Sequence, residues 1–236
     1  MTRFVLALSL AACTAAVPLR AADAPDNTLT AREKADGWQL LFDGKTTAGW
    51  HGYNQSSFPD GWAVRDGALT RVGGPTVDIV TDKEYANFDL QFDWKIAPKG
   101  NSGLFFHVVE SPTLKSTYFS GPEYQLIDNE GHPDGKNGPD RWAGANYALH
   151  APTRNTANPV GQWNHSRLVV DNGHVEHWLN GVKVLEFNRN SDDFRAHVAA
   201  GKFRNTPGFG TAGRGRILLQ DHGDAVAYRS IKIRAL

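Results

Sequence analysis

Phe88-Asp89-Leu90-Gln91-Phe92-Asp93-Trp94-Lys95-Ile96 is the cleanest alternation in the chain, apolar at every second position with Asp89, Gln91, Asp93 and Lys95 between. Successive side chains on a strand point to opposite faces, so this stretch reads as a strand with one face in a core and the other in water. Outward from it lie shorter runs of the same kind: residues 37–42, 62–65, 68–72 and 77–81 before it, and 167–170, 175–179, 182–187, 217–223 and 227–233 after it. Asp66-Gly67, Asn172-Gly173 and Asn180-Gly181 separate alternating runs and suit tight hairpin turns, where two residues need positive φ. Residues 191–201 read as one short helix: Ser191 can cap it, Asp192 and Asp193 suit its positive end, and Gly201 can close it. No repeat suggests a solenoid or propeller. This pattern predicts an all-β, two-sheet sandwich with one short helix.

Two stretches after the lead strand carry polar residues where a buried strand should have none. The first is Asn101-Ser102-Gly103-Leu104-Phe105-Phe106-His107, and the second is Glu123-Tyr124-Gln125-Leu126-Ile127. Strand parity puts Glu123 and Gln125 on one face, and His107 with Phe105 and Val109. Glu123 is the first candidate for a proton-transferring group, and Gln125 a hydrogen-bonding clamp beside it. Asp93 and Lys95, on the polar face of the preceding strand, are expected to neighbour them. Asn101 could orient a hydroxyl of a bound ligand. His222 shares a face with Gln220 near the end of the chain and is the second catalytic candidate. Trp178 could serve as an aromatic platform for a ligand ring.

Metal chemistry has weaker support. His174 and His177, three apart on a strand, face opposite sides and cannot chelate together, so His177 is expected to be buried and hydrogen-bonded. Asp128, Glu130, Asp134 and Asp140 are oxygen ligands in a Gly-rich loop, but their spacing does not match the twelve-residue calcium loop. The irregular stretch from Gly131 to Pro159 reads as a functional or mobile loop. A phosphate loop, a Gly-x-Ser-x-Gly elbow and a His-Glu-x-x-His helix are all missing from the sequence, so nucleotide, esterase and zincin readings lose their support.

The chain has 236 residues, 25 basic and 25 acidic. Residues 1–22 form a short basic start, an apolar run and small residues near a cut site, which reads as an export signal leading to the periplasm or the medium. Without Arg3 and Arg20, 23 basic residues face 25 acidic ones, so the basic field that nucleic-acid binding needs is missing. The leader is too short to be a convincing transmembrane span. The one cysteine, Cys13, lies inside it within Leu10-Ala11-Ala12-Cys13, which could be a lipoprotein processing box. The mature chain therefore has no disulfide or thiolate site. Residues 23–36 read as a polar tether, and residues 37–236 as one domain.

Five motifs in order carry a family resemblance: Leu41-Phe42-Asp43-Gly44-Lys45 with Gly49-Trp50, Gly100-Asn101-Ser102-Gly103-Leu104-Phe105-Phe106, Glu123-Tyr124-Gln125-Leu126-Ile127-Asp128, Glu176-His177-Trp178-Leu179-Asn180-Gly181, and Leu219-Gln220-Asp221-His222-Gly223-Asp224. Together they resemble the 3-keto-disaccharide hydrolase family over nearly the whole mature chain. The resemblance implies a concanavalin A-like jelly roll that cleaves glycosides whose sugar ring is oxidised to a 3-ketone, as a hydrolase or a lyase. Its partner would be a 3-keto-glycoside or disaccharide, and a divalent metal is a possible helper. Members commonly carry Arg where this chain has His107. A non-catalytic, lectin-like sandwich is the competing reading, since fold alone does not fix function. Oligomeric state has no signal in the sequence.

Overall fold

The computed structural model describes residues 25–114 and 116–236, so the leader and Cys13 lie outside the described residues. Thirteen strands, numbered along the chain, form two antiparallel sheets. The larger runs β11 (Val182–Asn188), β10 (His174–Leu179), β9 (Asn164–Asp171), β6 (Phe88–Ile96), β13 (Val226–Ala235), β4 (Ala68–Arg71) and β3 (Trp62–Arg65), with β1 (Gln39–Leu40) also pairing with β13. The smaller runs β2 (Trp50–Gly52), β5 (Ile79–Thr81), β12 (Arg216–Leu219), β7 (Asn101–Val108) and β8 (Glu123–Ile127). The molecule is a jelly-roll sandwich of concanavalin A-like type. The expected hairpin dipeptides all have two positive φ values, for example 48° at Asn172 and 91° at Gly173.

The lead strand, β6, sits between β9 and β13. Its apolar face is buried while Gln91, Asp93 and Lys95 are half-exposed, as the alternation predicts. Phe88, Leu90, Phe92 and Trp94 meet Leu104, Phe106, Tyr124 and Leu126 of the smaller sheet in one core. Burying each such side chain contributes about 1.5–3 kcal/mol. A hydrogen-bonded chain crosses this core: Trp94 Nε1 donates to Ser166 Oγ (2.9 Å), which donates to Tyr124 Oη (3.0 Å), which donates to the Trp178 carbonyl (3.0 Å). Tyr124 is thereby fixed between its neighbours Glu123 and Gln125, which must point the other way.

Among the described residues there are two α-helices rather than one. The expected helix is α2 (Asp192–Ala200), with Ser191 Oγ accepting from the Phe194 amide. The other, α1 (Ala31–Ala35), lies in the stretch expected to be a tether and opens with a reciprocal Thr30/Glu33 cap. Glu33 pairs with Lys232, and the Asn27 amide donates to the Gly67 carbonyl at 2.8 Å while accepting from the Ser230 amide at 2.8 Å. These bonds hold the arm against β13. No helix among the described residues is long and apolar enough to cross a membrane.

Candidate active site

The site is built on the outward face of the smaller sheet. Pairing sets Gly103 opposite Gln125 and Phe105 opposite Glu123. The Gln220 amide donates to the Gly103 carbonyl at 2.9 Å, and Leu219 pairs with Ile79, so Asp78 lies across from Gln220. Asp78, Gln220, Gly103 and Gln125 therefore form one row on one face. Gly103 leaves a gap in that row, and Glu123 lies over it: a Cβ at position 103 would stand 2.3 Å from Glu123 Oε1. Two interstrand spacings separate Asp78 from this gap, on the order of 10 Å. The two carboxyls thus flank Gln220.

A cavity of about 320 Å³ opens over Glu123 and Gln125, with Asn101, Gln220 and His222 in its lining. Tyr118, His132, Asp134, Tyr147 and Lys202 complete the wall. An adjoining recess of about 370 Å³ contains Asp78 and shares Tyr118 and Gln220 with the cavity.

Burial dominates the electrostatics. Glu123 is only 6% exposed, and no hydrogen bond among the described residues reaches its carboxyl. Loss of water pushes it up to about 8; the charges of Lys202 and Arg141 pull the other way, and those of Asp78 and Asp134 add to the rise. Asp78 is pushed up to about 6, again chiefly by burial, against hydrogen bonds from Thr117 and the Asp221 amide. Around them three buried amide atoms have no partner among the described residues: Asn101 Oδ1, Gln125 Nε2 and Gln220 Oε1. Buried polar atoms are normally paired, so three orphans lining one cavity mark where a ligand's polar groups go.

The irregular stretch after β8 forms one wall. The Tyr147 amide donates to the Glu123 carbonyl (3.1 Å) and the Gly144 amide to the Gln125 carbonyl (2.9 Å), so this segment runs along the free edge of β8. Tyr147 Oη donates to Asp134 at 2.8 Å, and Lys202, just beyond α2, lies over the Tyr147 ring at 4.5 Å.

Glu123, Gln125, Asn101, Gln220 and His222, named from the sequence, share this cavity. Four others do not reach it. Asp93, Lys95 and Trp178 lie on the outer face of the larger sheet, because β6 and β7 are successive in the chain but belong to opposite sheets. There Asp93 accepts from His165 (2.8 Å), Lys95 lies over Trp163 (4.9 Å), and Trp178 Nε1 donates to Glu176 (2.8 Å). His107 is turned into the core: a bulge at the end of β7, with φ of 55° at His107, breaks the strand's parity. Its Nε2 meets the Ala86 carbonyl at 2.7 Å and its Nδ1 meets Arg189 at 2.8 Å; burial pushes it down to about 4.

His177 is wholly buried, as expected, and its Nδ1 donates to the Gly144 carbonyl at 2.9 Å. Asp128 accepts from the amides of Lys99, Glu130 and Gly131, so it shapes its own loop. Sequence reasoning missed Asp78, Tyr118, His132, Tyr147 and Lys202, and weighed Asp134 only as a calcium ligand. Only Asp78 left a signal, a carboxylate inside the run Val77-Asp78-Ile79-Val80; the rest come from loops without a period.

His132, His222 and Asp224 bring donor atoms within 4.8 Å of one another at the cavity rim. They do not fit a divalent metal as a three-ligand set. His132 Nδ1 accepts the Asp134 amide N–H at 3.1 Å, so the neutral ring keeps its proton on Nε2 and has no lone pair left to ligate. Asp224 Oδ2 already accepts the Asn101 amide at 3.0 Å.

Comparison with known proteins agrees with this architecture. A Bacteroides thetaiotaomicron protein named 3-keto-disaccharide hydrolase is 33% identical over 231 residues, 86% of this chain and 79% of its own length. A Parabacteroides distasonis crystal structure, provisionally described as a glycosyl hydrolase, is 41% identical, with a TM-score of 0.85 over 90% of this chain and 100% of its own. A carbohydrate-binding module from Bacillus subtilis, at 12% identity and a TM-score of 0.50 over 79% of this chain and 96% of its own, shares the fold alone. The 3-keto-alpha-glucoside-1,2-lyase-like domain model matches residues 37–234, nearly the whole folded unit, and the chain belongs to that family.

Proposed function

We propose that this protein is an exported carbohydrate-active enzyme that cleaves the glycosidic bond of 3-keto-glycosides by removing the C2 proton and expelling the group at C1. The observation that carries this reading is the Glu123 carboxyl, buried with no hydrogen-bond partner among the described residues and surrounded by amide atoms that likewise have none there. A binding module has use for the amides but none for a proton donor held at about 8.

A ketone at C3 acidifies the proton at C2. Asp78, ionised at neutral pH, takes that proton, and the electron pair moves into the enolate. The unpaired Gln125 Nε2 can donate to oxygens of the bound sugar, and Lys202 supplies positive charge nearby; such preorganised groups are most effective where charge develops. As the enolate collapses the C1–O bond breaks, and Glu123, still protonated, gives its proton to the departing oxygen. Water then adds at C1 while C2 regains a proton, so the sum is a hydrolysis; release before that step makes the protein a lyase. His222, half-exposed at the rim with Nδ1 3.5 Å from Asp224, is the second candidate proton carrier.

The test is incubation of the mature protein with 3-keto-glucosides and their unoxidised parents. Release of the aglycone is expected from the keto substrate alone, with a primary isotope effect when C2 carries deuterium. Equal cleavage of the parent without exchange at C2 overturns the mechanism. The pH profile is a second check. kcat/KM should rise through about 6 as Asp78 loses its proton and fall through about 8 as Glu123 loses its own. Asp78→Asn should lower the maximum and remove the acid limb, and a profile keeping that limb rules out Asp78 as the base.

A further inference from the structure

We infer that His150, Asp193 and His197 form a binding site for a borderline divalent transition-metal ion such as zinc, set apart from the cavity, that fastens α2 to the segment along β8. Their donor atoms all lie within 4.8 Å of one another. Asp193 and His197 stand one turn apart on α2 and so share a face. His150 comes from the end of the other segment, with Nε2 3.2 Å from Asp193 Oδ2. Two imidazoles and a carboxylate suit zinc, with water completing the tetrahedron.

The surroundings of His150 support this. Its ring is stacked on Phe187 (4.9 Å between centroids, 13°), which fixes its direction. A metal-bound imidazole needs an acceptor for its other N–H. His150 Nδ1 lies 3.0 Å from the side-chain amide of Asn146, a wholly buried residue whose Oδ1 has no partner among the described residues. A half-turn of that amide brings the orphan oxygen to Nδ1–H and frees Nε2 for the ion. His132 at the rim has no such freedom, because its donor is a backbone N–H. His197, 44% exposed, can present either ring nitrogen by side-chain rotation.

Cations compete differently at the two outlying clusters. Lys183 sits inside the group His174, Glu176 and Glu186, 3.2 Å from Glu176. Asp193 pairs with no Lys or Arg among the described residues, only with the two histidines. The ion would also tie down one wall of the cavity. His150 follows Tyr147 by three residues, α2 leads to Lys202, and Lys202 packs on Tyr147.

Zinc alone is the probe, added to the mature protein in a His222→Ala background that removes the rim histidine. Titration calorimetry should show one micromolar equivalent, with the ring resonances of His150 and His197 shifting together and the melting temperature rising. His197→Gln and Asp193→Asn, both at exposed positions, should each weaken that binding by about tenfold or more. Zinc binding of unchanged affinity in both variants, or no zinc bound by the parent, overturns the inference. Circular dichroism confirms that each variant is folded.

Discussion

Replacing Glu123 with Gln is expected to lower turnover by on the order of a hundredfold or more while substrate binding persists, the loss that follows removal of a general acid. The amide fills the same space over Gly103 and cannot give up a proton to the leaving oxygen. The same substitution should stabilise the fold at neutral pH. The folded carboxyl is raised to about 8 from 4.5, so the folded state binds the proton more tightly than the unfolded one. The stabilisation from that proton is complete below pH 4.5 and is lost as pH rises through about 8. Thermal melts of the two proteins should therefore separate progressively over that window, with the Gln variant ahead. Wild-type turnover in the variant would reduce Glu123 to a binding residue and favour the lectin-like reading. Identical melting at every pH would remove the buried acid.

Asp221→Ala should have the largest effect on stability. Its side chain is fully buried and receives Arg71 Nε at 2.7 Å, the Val77 amide at 3.1 Å and the Gly223 amide at 2.9 Å. Truncation strands the nearly buried Arg71 guanidinium and two backbone donors. Breaking one side of such a pair costs about 3–5 kcal/mol. The loss should appear as a lower urea midpoint with an unchanged slope. Activity should fall too, because Asp221 anchors the turn between Gln220 and His222 and its amide donates to Asp78 at 2.7 Å. A double replacement of Arg71 and Asp221 by apolar residues should recover most of the stability but not the activity. A change of under about 1 kcal/mol in the single variant would mean that water already satisfies this pair.

How much of this was legible in the sequence depended on how local each signal is. Alternation in β6 and the paired dipeptides are local, and both survive into the structure. Glu123 and Gln125 share one face because β8 is a regular strand, so parity holds from one residue to the next. Parity failed at His107, where a bulge inserts an extra residue and turns the side chain into the core. Asp93 and Lys95 lie away from the cavity for another reason: succession in the chain does not make adjacency in the sheet, and the turn before Asn101 carries the chain to the opposite layer. Residue type alone suggests a platform at Trp178, whereas its ring is met by Arg167 and Lys183 from neighbouring strands, a pairing that no local pattern encodes. Tyr147, Lys202 and His132 reach the cavity through loops whose paths depend on tertiary hydrogen bonds, which no period records.

β13 lies between β6 and β4 and also holds β1, so a strand far along the sequence bridges the first ones. In kinetic terms most pairings in the larger sheet must wait for distant sequence, which makes for slow closure. A copy whose synthesis stops before residue 226 leaves two open sheet edges and an exposed aromatic core. Such an edge is a template for aggregation. Truncation therefore gives a chain for proteases to clear rather than a weakened enzyme, and the ten residues of β13 act as the checkpoint on whether the sandwich closes at all.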